Sequence, residues 1–290
     1  MQTLISSGLD TKQRAYRLWQ KAKRLGTWNP SDLDLSQDRA DWLALQNHER
    51  DLLLHLASLF MMGEEAVTTE LLPLLKVVSE EGRLEEEMFL TSFLWEEAKH
   101  VDFFQRFRSE VVVDALDLHG YAGERASLLF EHELGQAMRS LYTDPSPEAQ
   151  ARAATTYNMI VEGVMAETGY HAWYTILKTR GILPGITEGI QLIQRDESRH
   201  IGFGLYFLAR LIAEHGESVW EVVEETMGRL LPLATSILSE TFEAQETRHG
   251  TVPFNLELDT FVSFAMNQFQ HRMTRLLDAR TKTVDEIIWG

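Results

Sequence analysis

The sequence predicts an all-α fold, a bundle of long helices, on three observations. Apolar residues recur at helical spacing along most of the chain, strand-like alternation with hairpin turns is nearly absent, and only 7 Pro interrupt 290 residues. The stretches between periodic segments are short, and no Gly/Ser-rich linker or low-complexity tract divides them. One domain spanning residues 1–290 is expected.

The elements follow in order. A first helix is expected near 10–24, then the loop "GTWNPSDLDL". A long helix runs from about Gln46 to Glu81 and stops at Gly82, and the next runs from about Leu84 to Leu116. After "HGYAG" a helix covers about 123–142. "TDPSPEAQ" supplies prolines and caps before a long helix over about 147–179, which "RGILPG" breaks. Another covers about 185–214, "HGES" separates it from one near 217–247, and "HGTVPFN" precedes a last one near 257–279. Pro73 and Pro232 fall inside helical patterns and predict kinks. Helices of roughly 30 residues reach about 45 Å at 1.5 Å per residue, which suits a bundle carrying its site at mid-height.

Composition excludes several functions. A net charge of −17 argues against a nucleic-acid binder, which needs a basic face. The absence of Cys excludes disulfides, thiolate metal sites and cysteine nucleophiles. The start "MQTLISSGLD" has neither a basic nor an apolar run, so no secretory signal is expected. The longest apolar stretch, Leu52 to Met62, is interrupted by His55 and is too short to span a bilayer. A soluble, cytoplasmic protein is the expectation.

One pattern recurs on separate helices. "WEEAKH" contains Glu97-x-x-His100, and "RDESRH" contains Glu197-x-x-His200. With 30 Glu and 10 His in 290 residues, roughly one such match arises by chance, and a third occurs at Glu246 and His249. Context separates them. The first two lie in "FLWEEAKHVDFF" and "LIQRDESRHIGFGLYF", among apolar residues, whereas Glu246 and His249 lie in the polar "EAQETRHGTVP" at a helix end and read as solvated. Glu at i and His at i+3 are about 60° apart around a helix, so both can face one point between helices.

A helical dinuclear site also needs one carboxylate from each of two further helices. "LFMMGEEAVTTELL" offers Glu64 and "YNMIVEGVMAETGY" offers Glu162; Glu65 and Glu167 would take their places if the helix phase differed. Buried carboxylates without partners are costly, and two divalent cations remove that cost. The predicted architecture is thus a bundle with a dinuclear metal site between four long core helices, with Glu97 and Glu197 shared and Glu64 and Glu162 terminal. Carboxylate oxygens with two imidazoles suit Fe or Mn better than structural Zn. Two redox metals in such a site can deliver electrons to O2 in pairs.

At these residues the chain resembles the ferritin-like superfamily, specifically the ribonucleotide reductase small subunits. "WNPSDLDL" (28–35) is similar to the segment that begins with a buried Trp in that family, and "RDESRH" matches its Asp-Glu-x-x-His. The resemblance implies that Asp196 accepts a hydrogen bond from His100 and links onward to Trp28. Phe104 stands where the tyrosyl-radical subunits carry a Tyr, and no Tyr follows Tyr206, which speaks against such a subunit. A ferritin-like iron store is a further alternative, which would require a large symmetric cage. "GEEAV" and "YNMIVEG", with both Glu-x-x-His pairs, resemble more closely the small-subunit-like ligand-binding oxidases. That resemblance implies metal ligands Glu64, Glu97, His100, Glu162, Glu197 and His200, with Mn on the His100 side and Fe on the His200 side, or di-iron as an alternative loading. It further implies a long-chain fatty acid at the metals, reaction with O2, an ether cross-link between Val67 and Tyr157, and a homodimer. Val67 is at i+3 from Glu64 and shares its face, but Tyr157 is about 140° from Glu162 in an ideal α-helix. A π distortion there is expected to bring the two together.

Overall fold

The computed structural model describes residues 8–112 and 118–290, and no strand occurs among them. The first helix, α1, is Arg14–Leu25; it starts later than the expected 10–24 because Asp10 is held outside it, its N–H donating to Glu85 Oε1 at 2.8 Å. A short helix, α2 (Ser36–Ala44), follows the Trp28 loop and was absent from the sequence expectation. The expected helix 46–81 is two helices, α3 (Asn47–Glu70) and α4 (Leu72–Glu80). Its start is sealed by the Gln46/Glu49 capping box, and it ends at Gly82, whose φ of 73° suits glycine. Pro73 falls in the first turn of α4, where its missing N–H costs nothing, so the stretch divides instead of kinking through a continuous helix.

Helix α5 (Leu84–Arg106) continues into a π segment, Phe107–Val112. The rest of that expectation, to Leu116, lies outside the described residues. The expected 123–142 helix is preceded by α6 (His119–Ala122) and comprises α7 (Glu124–Ser127), a π segment (Leu128–Leu134) and α8 (Gly135–Ser140). The expected 147–179 helix comprises α9 (Pro147–Ala154), a π segment (Thr155–Ala166) and α10 (Glu167–Arg180). Helices α11 (Pro184–His215), α12 (Glu217–His249) and α13 (Leu258–Ala279) match their expected ranges closely, and Pro232 is carried inside α12 without a break in the helix. A last helix, α14 (Val284–Trp289), held by the Thr283/Glu286 capping box, was not expected. No described helix is long and apolar enough to cross a membrane.

The apolar core has two parts, and the polar site lies between them. One part takes Val67 to Val78 from α3 and α4, Phe89 to Phe93 from α5, and Phe203 to Ile212 from α11. The other takes Leu52 to Met61, Phe103 to Phe107, and Ile186 to Ile193 from the same long helices. Glu64, Glu97, His100, Glu197 and His200 fall in the gaps between these runs. Each helix is therefore anchored by apolar packing above and below its polar residues.

Helix α2 braces the start of α11. The Asp38 carboxylate is fully buried and accepts from the Gly185 N–H at 2.9 Å and the Ile186 N–H at 2.7 Å, while Asp41 accepts from the Leu183 N–H at 2.8 Å. A carboxylate from outside thus satisfies the free donors and the positive end of the helix dipole. Burial raises the Asp38 pKa despite these bonds. Asp38→Asn keeps one acceptor and loses the charge. We expect it to lower stability by about 1–2 kcal/mol, read as a fall in melting temperature of roughly 2–8 °C; an unchanged melt would show that α11 does not depend on this cap.

Candidate metal centre

Burial separates the glutamates that the sequence left as alternatives. Glu64 is buried, whereas Glu65 is exposed and accepts from Gln105 Nε2 at 3.3 Å. Glu97 and His100 on α5, and Glu197 and His200 on α11, are all buried. Glu162 is buried in the π segment, while Glu167, half-buried, lies outside the cluster. Glu246 is exposed and His249 faces Asp51 at 3.2 Å, so the third Glu-x-x-His is a surface feature.

The six buried residues form two overlapping sets. Glu64, Glu97, His100 and Glu197 place one potential ligand atom each within 4.8 Å of one another, and so do Glu97, Glu162, Glu197 and His200. The shared glutamates each divide their oxygens. Glu97 sets Oε2 3.5 Å from His100 Nδ1 and Oε1 3.0 Å from His200 Nδ1. Glu197 sets Oε1 3.3 Å from His100 Nδ1 and Oε2 3.5 Å from His200 Nδ1. Glu64 approaches only His100 (3.3 Å), and Glu162 only His200 (3.7 Å). Both Glu97 oxygens, Glu162 Oε1, Glu197 Oε2 and the two Nδ1 atoms have no hydrogen-bond partner among the described residues. Buried polar atoms are nearly always satisfied, and this group of orphans fits a pair of cations.

The electrostatics agree. Burial pushes Glu64 and Glu162 well above the usual carboxylate range, and the neighbouring carboxylates add to it. Burial pulls both imidazoles down, and the surrounding carboxylates more than reverse it. Two divalent cations would balance the four inner carboxylates, each bringing the coulombic partner that protein groups alone do not supply.

Around this centre lies an outer ring in crossed symmetry. Asp196 of α11 serves His100 of α5, its Oδ2 3.4 Å from His100 Nε2, and accepts from Trp28 Nε1 at 2.7 Å and Lys99 Nζ at 3.0 Å. This is the link expected from the sequence, although Trp28 is partly exposed and not buried. Glu96 of α5 serves His200 of α11 in the same way, at 2.9 Å, and accepts from Arg199 at 2.6 Å. Sequence reasoning missed Glu96. Its signal was present: in both buried Glu-x-x-His motifs the glutamate is preceded by an acid, Glu96 or Asp196, and the histidine by a base, Lys99 or Arg199. Lys99 and Arg199 neutralise the two outer acids, so the outer ring asks nothing of the cations.

The π segment positions Tyr157 and Glu162. Their five-residue separation matches the i→i+5 repeat of a π-helix, which aligns what an α-helix would set apart. Asn158 in the same segment donates to Glu162 Oε2 at 2.8 Å, and Gly204 of α11 leaves the room in which that Asn side chain sits. The Tyr157 hydroxyl is fully buried with no partner among the described residues, and burial, then Glu97, Glu162, Glu197 and Glu64, push its pKa well above the ordinary value. Phe104 stacks on Phe60 at 5.2 Å and carries no hydroxyl. On one side the centre opens to an apolar cavity, part of it open to solvent, whose lining includes Glu64, Val67, Glu97, Glu162, Glu197 and Phe261.

Residues 11–273 match the family model described as ribonucleotide reductase, small chain. Among solved structures, an R2-like ligand-binding oxidase with aerobically reconstituted metal cofactor after photoconversion is 36% identical, with a TM-score of 0.88 over 95% of this chain and 98% of that one. A variant of such an oxidase with aerobically reconstituted Mn/Fe cofactor is 37% identical, with a TM-score of 0.86 over 92% of this chain and 98% of that one. Another such variant, with anaerobically reconstituted Mn/Fe cofactor, is 36% identical, with a TM-score of 0.88 over 95% and 98%.

The geometry predicts which acids govern metal uptake. Glu97→Ala should retain fewer than two metals per chain by elemental analysis after reconstitution, and Glu65→Ala and Glu246→Ala should match the parent. Uptake lost in Glu65→Ala and kept in Glu64→Ala would reverse the phase assigned to α3. Glu96→Gln should weaken binding by about 10–100-fold, the usual cost of losing the carboxylate that orients a ligand histidine, measured by competition with a chelator.

Proposed function

The chain belongs to the ribonucleotide reductase small chain family, and from that membership we propose that it is an O2-activating oxidase with a heterodinuclear Mn/Fe centre, acting as a single ferritin-like domain on a long-chain fatty-acid-like ligand. The observation that carries this reading is the pair of ligand sets joined through Glu97 and Glu197 beside an apolar cavity. In this reading Glu64, Glu97, His100 and Glu197 hold Mn, and Glu97, Glu162, Glu197 and His200 hold Fe. The bound pair supplies the capacity to reduce O2 by more than one electron.

The cavity supports the ligand class. Among the described residues its lining contains Leu, Phe, Val, Met and Ala but no Lys or Arg. An anionic head group would find positive charge only at the metal end, while an alkyl chain would bury itself along the rest at about 25 cal/mol per Å². It runs along α3 from Val67 and Glu64 back to Leu52, fifteen residues, or roughly 22 Å of helix axis. That length suits a long chain.

The cross-link is proposed between Val67 and Tyr157. The solved oxidases include variants at a glycine, the glutamate after it, a valine three residues on, and a tyrosine; Gly63, Glu64, Val67 and Tyr157 repeat that order and spacing. The partnerless Tyr157 hydroxyl near the four carboxylates and the placement of Val67 on the cavity wall support it. Joining Tyr157 Oη to Val67 Cβ removes one hydrogen from each, two protons and two electrons in all, for which O2 is the acceptor. Burial keeps the phenol protonated beforehand and excludes water from the new bond.

Protein loaded with Mn and Fe in air should be lighter by two hydrogen atoms than the unreacted chain, and a digest should join the peptides holding Val67 and Tyr157. Tyr157→Phe should bind both metals and form no link. A normal mass and two separate peptides would refute the cross-link. Anomalous diffraction at the Mn and Fe edges should place Mn beside His100 and Fe beside His200; any other assignment corrects the metal order.

A further inference from the structure

Away from the carboxylates, the cavity wall carries a polar group that the oxidase reading does not use. Thr241 of α12 lines it beside Leu52, Leu56, Leu238, Phe242 and Phe261. The other threonine of the wall, Thr168, is satisfied by donating to the Val164 carbonyl at 2.6 Å. Thr241 Oγ1 lies 3.0 Å from the Ile237 carbonyl and 3.2 Å from Nε2 of His55 on α3. His55 is 2% exposed, and its Nδ1 has no partner among the described residues. Burial, aided by Arg248 and opposed by Asp51, pulls its pKa down to about 4, so the imidazole is neutral at pH 7.

The hydrogens can be assigned. The Thr241 hydroxyl donates to the Ile237 carbonyl at 3.0 Å. Thr241 Oγ1 then accepts from His55 Nε2–H, and the neutral ring leaves Nδ1 as a bare acceptor. One lone pair on Thr241 Oγ1 is also free. The spare position on the cavity wall, on Thr241 Oγ1, accepts and does not donate. A carbonyl on a ligand would set acceptor against acceptor, a plain methylene would leave the pair unsatisfied, and an ammonium would bring a charge into an apolar wall. A hydroxyl meets the need. Nine residues of helix, about 13 Å along the axis, separate His55 from Glu64.

We propose that Thr241, backed by His55, is a hydroxyl-recognition site toward the Leu52 end of the cavity, and that the ligand class is a long-chain acid bearing a mid-chain hydroxyl. This rests on the cavity being the seat of a long-chain acid. The test is competition between a fluorescent fatty acid and stearic, mid-chain hydroxystearic or mid-chain ketostearic acid on metal-loaded protein. The hydroxy acid should bind about 5–10-fold tighter than stearic acid, the worth of one buried hydrogen bond, and the keto acid weaker than either. Thr241→Val should abolish that preference while leaving stearic acid affinity within about twofold, and Thr241→Ser should retain it. Equal affinities in the parent, or a preference that survives Thr241→Val, overturn the proposal while leaving the fatty-acid reading intact. If none of the three acids competes, the fatty-acid reading fails and this inference falls with it.

Discussion

Four carboxylates and two imidazoles buried together in one small volume is the constraint on which the rest of this structure depends. Apolar burial could not hold Glu64, Glu97, Glu162 and Glu197 together, because desolvation and mutual repulsion both oppose it. Divalent cations at its centre would relieve both costs. The surrounding architecture keeps that charge from being diluted. Lys99 and Arg199 cancel the outer acids Glu96 and Asp196 instead of reaching inward. Lys99 Nζ is further held 4.4 Å from the Trp28 ring and 4.5 Å from the Trp95 ring. The protein thereby separates two electrostatic problems and solves the outer one with its own side chains.

Rigidity follows from the same demand. Each histidine offers Nδ1 to the centre because its Nε2 is tied to a carboxylate from the opposite helix. The crossed arrangement means that α5 and α11 orient one another's ligands, so neither can rotate alone. Helix α2 fixes the start of α11 through Asp38, and the two apolar core regions clamp the long helices on either side of the site. Stability is thus concentrated around a polar centre that by itself would destabilise the fold.

The π segment at Thr155–Ala166 shows where regular structure gives way to chemistry. An α-helix through these residues would turn Tyr157 away from Glu162; the wider repeat places both toward the centre. The same wall borders the apolar cavity through Val161, Glu162 and Met165. A single distortion therefore sets the ligand geometry, the position of a buried phenol and the shape of a binding space.

The sequence by itself determined the helical class and most helix ranges, and it singled out Glu97, His100, Glu197 and His200 together with candidate acids on two further helices. Those properties follow from local periodicity and from acids standing in apolar surroundings, which neighbouring residues reveal. It left Glu64 against Glu65 and Glu162 against Glu167 open. The second choice was the harder one, because Thr155 to Met165 are all buried and a helix buried all round carries no amphipathic phase. It missed α2, in which only Asp38 and Trp42 face inward, too few to show a pattern. Tertiary structure alone decided that Glu96 serves His200 and that Thr241 and His55 meet across the cavity wall. Those partners lie a hundred or more residues apart, and local propensity holds no record of which distant side chains packing will bring together.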